Sequence, residues 1–169
     1  VQIALIAPLS GAWARQGELM KIGAELAVKD INAAGGVKSL GGAPIELVTI
    51  DAGDSTEKAK NAAQRMVSEY PKLVGATGAW LSSFTLSISE VTERAGLPML
   101  TVSYADQITS RGFKYIFQTS PTASRMVSDA MPSLMELATK ATGAQPKSAG
   151  MIFDNTASVV PFAAAMRDK

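Results

Sequence analysis

Short apolar runs separated by stretches of helical spacing constrain this chain more than any other feature. The runs fall at residues 3–7, 45–50, 73–76, 99–102, 115–117 and 149–153. Between them, Leu19, Ile22, Leu26, Ala27 and Ile31 mark a helix that ends at Ala34-Gly35-Gly36. Ala59, Ala62, Ala63, Met66, Val67 and Tyr70 follow the three–four spacing of a second, which Pro71 stops. Asp54, with Glu57 three residues on, reads as a capping box opening it. Phe84, Ile88, Val91 and Ala95 mark a third, ended by Gly96 before Pro98. Strands that alternate with amphipathic helices imply an α/β fold, a doubly wound parallel sheet covered on both faces. The first four strands are expected in the order 2-1-3-4, with the first inside the sheet.

After Thr109 the rhythm changes. Residues 110–121 leave no room for a crossover helix, so 115–121 reads as a crossing between two lobes. A further helix over 122–140 and a strand over 148–154 follow, then a helix-like tail from Ala157. Pro132 is expected to kink or split the helix that contains it, because it lacks an N–H and clashes one turn back. The strand at 148–153 is expected in a different sheet. The division predicted is a first lobe over 1–118 and the beginning of a second over 119–169.

Composition narrows the chemistry. Of 169 residues, 47% are hydrophobic and 18% charged, enough apolar material for a core and too much for a disordered chain. Sixteen Lys and Arg face fifteen Asp and Glu, without a basic stripe, so nothing points to nucleic acid or to a polybasic membrane patch. With neither Cys nor His, the chain holds no Cys nucleophile, Ser-His-Asp triad, iron–sulfur cluster or His- or Cys-ligated zinc. No apolar run approaches the ~20 residues needed to span a bilayer. The chain opens on Val1 in a strand-like pattern, without a basic-then-apolar leader, as expected of a processed or trimmed sequence.

Ligands of doubly wound sheets bind at the carboxyl ends of the strands. The loops there read Pro8 to Gly17, Thr77 to Ser83, and Ser103 to Asp106. Ser82 and Ser83 precede the third helix; such a Ser caps the helix or, with the same free N–H groups, holds a ligand carboxylate. Trp13, Trp80 and Tyr104 serve either as packing residues or as walls of a ligand pocket. Asp51 and Asp54 lack a third carboxylate for a metal or phosphoacceptor site, Asp106 with Thr109 reads as turn capping, and Arg15 as a solvated surface residue or an anion partner. The stretch 75–78 lacks the third Gly of a dinucleotide fingerprint.

At these residues the sequence resembles a known family. PLSGAWARQGELMKIGAELAVKDINAAGGV, IELVTIDAGDSTEKAKNAAQRMV, GAWLSSFTLSISEVTERAGLPMLTVSYADQIT and YIFQTSPTAS together resemble the type I periplasmic solute-binding proteins, nearest the branched-chain amino-acid-binding branch. The resemblance implies a two-lobed clamp in the periplasm that feeds the permease subunits of an ABC importer, with no enzymatic activity, cofactor or metal. It also implies no nucleic-acid partner and no direct membrane insertion. It implies that a ligand carboxylate rests on Ser82 with Ser83 beside it, that Ser103, Tyr104 and Ala105 supply backbone and hydroxyl contacts, and that Gln16 stands where the first loop offers a side chain. Members of the family run to well over 300 residues, and the resemblance implies that the acidic residue that usually grips an amino group comes from a part outside this sequence. Trp13, Trp80 and Tyr104 are bulkier than amino-acid binders tend to carry, which favours an aromatic carboxylate. Two other readings compete: a single flavodoxin-like phosphoacceptor or nucleotide-binding enzyme module, and a transcriptional regulator. The first needs clustered acids where the strands end in Pro8-Leu9-Ser10 and Thr77-Gly78-Ala79, and the second needs a helix-turn-helix.

Overall fold

A computed structural model describes residues 1–167. Strands β1 (Gln2–Ala7), β2 (Glu46–Asp51), β3 (Leu73–Gly78), β4 (Met99–Thr101) and β5 (Ile116–Gln118) form one parallel sheet in the order β2-β1-β3-β4-β5. Helices α1 (Ala14–Ala33), α2 (Thr56–Glu69) and α3 (Ser82–Ala95) fill the crossovers between the first four. The chain steps from β1 outward to β2, then back past β1 to β3. Right-handed crossovers therefore put α1 on one face and α2 with α3 on the other.

On the α2–α3 face, Ala4, Ile6, Ala76, Met99 and Ile116 meet Ala59, Ala62, Ala63 and Met66 of α2 and Phe84, Ile88 and Val91 of α3. The alanines carry this packing. With no side chain beyond Cβ, they let α2 lie close to the sheet, while Met66 and Ile88 fill the space between. Lys60 and Glu90 join the two helices at 2.8 Å on the solvent side.

The opposite face is covered in part. α1 reaches β1 and β2, through buried Gly17 and half-buried Met20, Ala24, Val28 and Asn32, one stripe at three–four spacing. Leu19, Ile22, Leu26 and Ile31, which mark this helix in the sequence, lie beside that stripe and are exposed. Val74, Leu100, Val102 and Phe117 alternate with the buried strand residues and face solvent. The sheet is thus doubly wound, but among the described residues α1 covers its face at β1 and β2 and not at the other strands. At the C-terminal end of α1, the Asn32 side chain donates to Ile45 O at 2.8 Å and accepts from Ile45 N at 2.7 Å.

Other expectations need correction. The segment 115–121 is no simple crossing: Ile116–Gln118 pairs with β4 as a fifth strand. Fourteen residues separate them (102–115), enough for a parallel crossover without a full helix, and only the single-turn α4 (Gln107–Ser110) lies between. The cap of α2 is Ser55, whose Oγ accepts from Lys58 N at 3.2 Å; Asp54 instead pairs with Lys58 Nζ at 2.8 Å. Residues 148–154 form no strand. An extended segment becomes a strand only beside a partner, and no described residue pairs with it.

The helix after β5, α5 (Ala123–Thr142), runs unbroken through Pro132, capped by Thr122 Oγ1 on Arg125 N at 3.3 Å. It packs against α6 (Val159–Arg167). Of the tail expected from Ala157, Asp168 and Lys169 lie outside the described residues. Among the described residues, no helix is long and apolar enough to cross a membrane.

Candidate functional site

The strand order reverses between β1 and β3, and in sheets of this kind the crevice at the carboxyl ends of such strands is the general ligand position. The loop after β1 carries Trp13 to it, and the loop after β3 carries Trp80. Their rings meet there, centroids 5.1 Å apart and planes at 52°. Close approach of backbone makes this possible. A Cβ on Gly17 would overlap the Pro8 carbonyl, and one on Gly78 would overlap that of Ile6. The Gly78–Ala79 peptide is cis, and Trp80 itself has φ 72°, in the left-handed region.

Ser82 is the first residue of α3. The N-cap is Leu81, and no side chain caps the helix. Expectation of a Ser cap is thus corrected: Ser82 Oγ accepts from Ala105 N at 3.3 Å, across to the β4 loop. This has two consequences. The first-turn N–H groups of α3 keep their donor capacity beside the positive helix end. The Ser82 hydroxyl, having accepted from Ala105, still has its own proton to donate to an anion. Ser82 is 3% exposed, and Ser83 beside it is half-buried.

The β4 loop is held from several sides. Ser103 Oγ donates to Trp80 O at 2.9 Å. Gln118 Nε2 donates to Ser103 O at 2.8 Å, and Ser120 Oγ to Val102 O at 2.9 Å. Tyr104 O accepts from Ala123 N at 2.7 Å, and the Asp106 carboxylate accepts from the Ser124 hydroxyl and amide, so this loop also anchors the start of α5. Burial pushes the Asp106 pKa up, but the hydrogen bonds from Ser124 and Thr122 outweigh it and hold the group below the ordinary carboxylate range. Asp51 behaves alike: desolvation is outweighed by donors on Gly53, Ser10 and Leu9. Its Oδ1 accepts from Leu9 N at 2.9 Å and Gly53 N at 2.8 Å, tying the β1 and β2 loops together.

The structure therefore brings Trp13 and Trp80 together, and links Ser82 to Ala105 and Ser103 to Trp80. Gln16 stands one turn after Trp13 on α1, and its Oε1 is buried without a hydrogen-bond partner. Among the described residues, no three His, Cys, Asp or Glu gather as a metal site. Thr85, Thr101 and Gln118 support these loops and escape the sequence reading. A signal for Thr85 was present: Ser82, Thr85, Ser89 and Thr92 place hydroxyls at three–four spacing on the buried side of α3. A groove of about 650 Å³ lies elsewhere, between α5 and residues 146–151, with Met131, Met135, Met151 and Met166 in its walls.

A family model described as periplasmic binding protein matches residues 1–169. The Leu/Ile/Val-binding protein homolog 8 of Brucella abortus is 34% identical over 164 residues, covering 92% of this chain and 38% of its own. A branched-chain amino acid transporter substrate binding protein from Streptococcus pneumoniae, solved with isoleucine, is 28% identical with a TM-score of 0.69, over 80% of this chain and 39% of its own. A solute binding protein of an ABC transporter from R. palustris, solved with 4-hydroxybenzoate, is 20% identical with a TM-score of 0.77, over 99% of this chain and 42% of its own. The chain thus spans about two-fifths of the length of these relatives.

Proposed function

Since the chain belongs to the periplasmic binding protein family, we propose that it forms part of an extracytoplasmic solute-binding component of an ABC importer, one that holds a small carboxylate between two lobes. The reading needs no catalysis, and its partners are the ligand and the importer's permease subunits. The first lobe ends at residue 118 and the second begins at 119 in this reading. In support, β5 is the last strand of the sheet, and α5 and α6 pack on one another.

One observation carries the ligand assignment: paired indoles at the switch point, beside an uncapped helix start whose Ser82 hydroxyl retains a proton to donate. The anion sits on Ser82, Ser83 and the first-turn amides of α3. Trp13, Trp80 and Tyr104 wall the apolar part, with Ser103 and Ala105 holding the loop and Gln16 offering an unpaired acceptor. An aromatic carboxylate gains most here, since ring contacts add ~0.5–1.5 kcal/mol beyond burial. An aliphatic amino acid is the second reading, favoured by the named specificity of the Brucella relative. The fold does not choose, because the two solved neighbours hold isoleucine in one case and 4-hydroxybenzoate in the other.

A thermal-shift panel on the full-length protein tests this, with branched-chain amino acids beside benzoate and phenylpropanoid acids, because a ligand that binds only the native state raises the melting point. A shift with an aromatic acid is expected. A shift with leucine or valine alone replaces the aromatic preference with the amino-acid reading, and no shift with any carboxylate overturns the ligand class.

A further inference from the structure

Beneath the Trp80 loop lies a set of hydroxyls that contributes no surface to the crevice. Thr85 is fully buried, and Thr101 and Ser103 are each 1% exposed. Thr85 Oγ1 is 3.3 Å from Ala79 N, 2.8 Å from Ser103 Oγ and 3.4 Å from Thr101 Oγ1. Thr101 Oγ1 also accepts from Ser103 N at 3.1 Å.

The direction of each bond follows from what its ends can do. Trp80 O is a carbonyl and only accepts, so the Ser103 proton goes to it. Ser103 Oγ is left as an acceptor, and the Thr85 proton goes there. Ala79 N–H only donates, so Thr85 Oγ1 accepts from it, and accepts also from Thr101. The run is therefore Thr101 to Thr85 to Ser103 to Trp80 O, with the Ala79 amide feeding in at Thr85. Both ends of the Ala79–Trp80 dipeptide are fastened through one residue. That matters because Trp80 has φ 72°, a conformation unfavourable for a bulky residue, which persists only when its surroundings fix it.

We infer that Thr85 is the positioning residue for the aromatic wall: its hydroxyl holds Trp80 in the left-handed conformation that brings its ring onto Trp13. For ligand binding the inference rests on the reading proposed above, whereas the ring geometry stands apart from it.

The test uses near-UV circular dichroism of the full-length protein without ligand. Two indoles 5.1 Å apart give a coupled signal, assigned by its loss in Trp13→Phe. Thr85→Val keeps shape and removes the hydroxyl, leaving the Ala79 amide unpaired; Thr85→Ser restores the hydroxyl. Expected is loss of the coupled signal in Thr85→Val and its return in Thr85→Ser, with affinity for a carboxylate that stabilises the wild type falling roughly two- to tenfold in the Val variant alone. A folded Thr85→Val protein with the signal intact overturns the inference, whatever its melting point. If Thr85→Val does not fold, Ser103→Ala cuts the last link to Trp80 O and reads the same signal, with the same outcomes. Loss of the signal with unchanged carboxylate affinity keeps the positioning role and removes the ring pair from the ligand site, so the two readings fail separately.

Discussion

Gly17 on α1 and Pro8 at the end of β1 touch through backbone, since a Cβ on Gly17 would overlap the Pro8 carbonyl oxygen. Ala is the better helix former by ~1 kcal/mol, yet the obstacle is backbone and cannot swing aside. Gly17→Ala is expected to destabilise by about 1–3 kcal/mol, the range for overpacking. Gly23, on the same helix, has nothing within 4 Å of its Cβ position. Gly23→Ala is expected to stabilise by about 0.4–1 kcal/mol. Denaturant melts of the two variants check the opposite signs.

The proposed anion site is tested by Ser82→Ala with Ser83→Ala. Loss of hydrogen bonds to a charged group is expected to weaken carboxylate binding by ~1–3 kcal/mol, read by calorimetry on the full-length protein. Unchanged affinity would move the anion elsewhere, with Arg15 the next candidate.

Position 80 offers a test that separates backbone from side chain. Trp80→Ala and Trp80→Gly both remove the ring from Trp13, but only Gly relaxes at φ 72°. The Gly variant is expected to be the more stable by about 1 kcal/mol, measured by thermal unfolding. An Ala variant as stable as the Gly variant would mean the loop is not left-handed at this residue.

Acid should loosen the tie between the β4 loop and α5. Asp106 is held below its ordinary range, so its contribution is present above the unfolded value of ~3.9 and disappears as pH falls through the lower folded value. Stability owed to this group is expected to be flat from about pH 8 to 5 and to decline below about pH 4. Asp106→Asn is expected to lower stability near neutrality and to shrink that acid decline, seen in melts across the pH range.

Much of the fold was legible because apolar spacing marks the elements, and at α2 and α3 it marks the buried face as well, whereas the residues that mark α1 are exposed. The four-strand order and α1–α3 follow from apolar spacing and from the stops at Gly35, Pro71 and Gly96. Assignment of β5 failed because a three-residue strand is too short to show a period and its crossover lacks a full helix. Asp54 and Ser55 are both good caps by type, and only the geometry of Lys58 N decides between them. For the stretch 148–154, an apolar pattern encodes readiness to pair but not the presence of a partner. At the candidate site, the loops that carry Trp13 and Trp80 were legible, and the structure pairs their rings, whereas Thr85 was hidden, since hydroxyls on a helix read as polar surface unless their spacing is compared with the buried side.

The Asn32 clamp on Ile45 carries a consequence for how this lobe tolerates change. One amide side chain occupies both backbone groups of Ile45 at the entrance to β2, as a neighbouring strand would. Everything between, residues 33–44, is thereby enclosed by a fixed gate, and its ends stay in place whatever the excursion does. Because closure entropy rises only slowly with loop length, residues added or removed between Gly35 and Gly42 would leave the register of β2 beside β1 undisturbed. The segment is a natural point for grafting a tag or reporter, since it enters β2 at the amino-terminal end of the strands, the opposite end from the crevice.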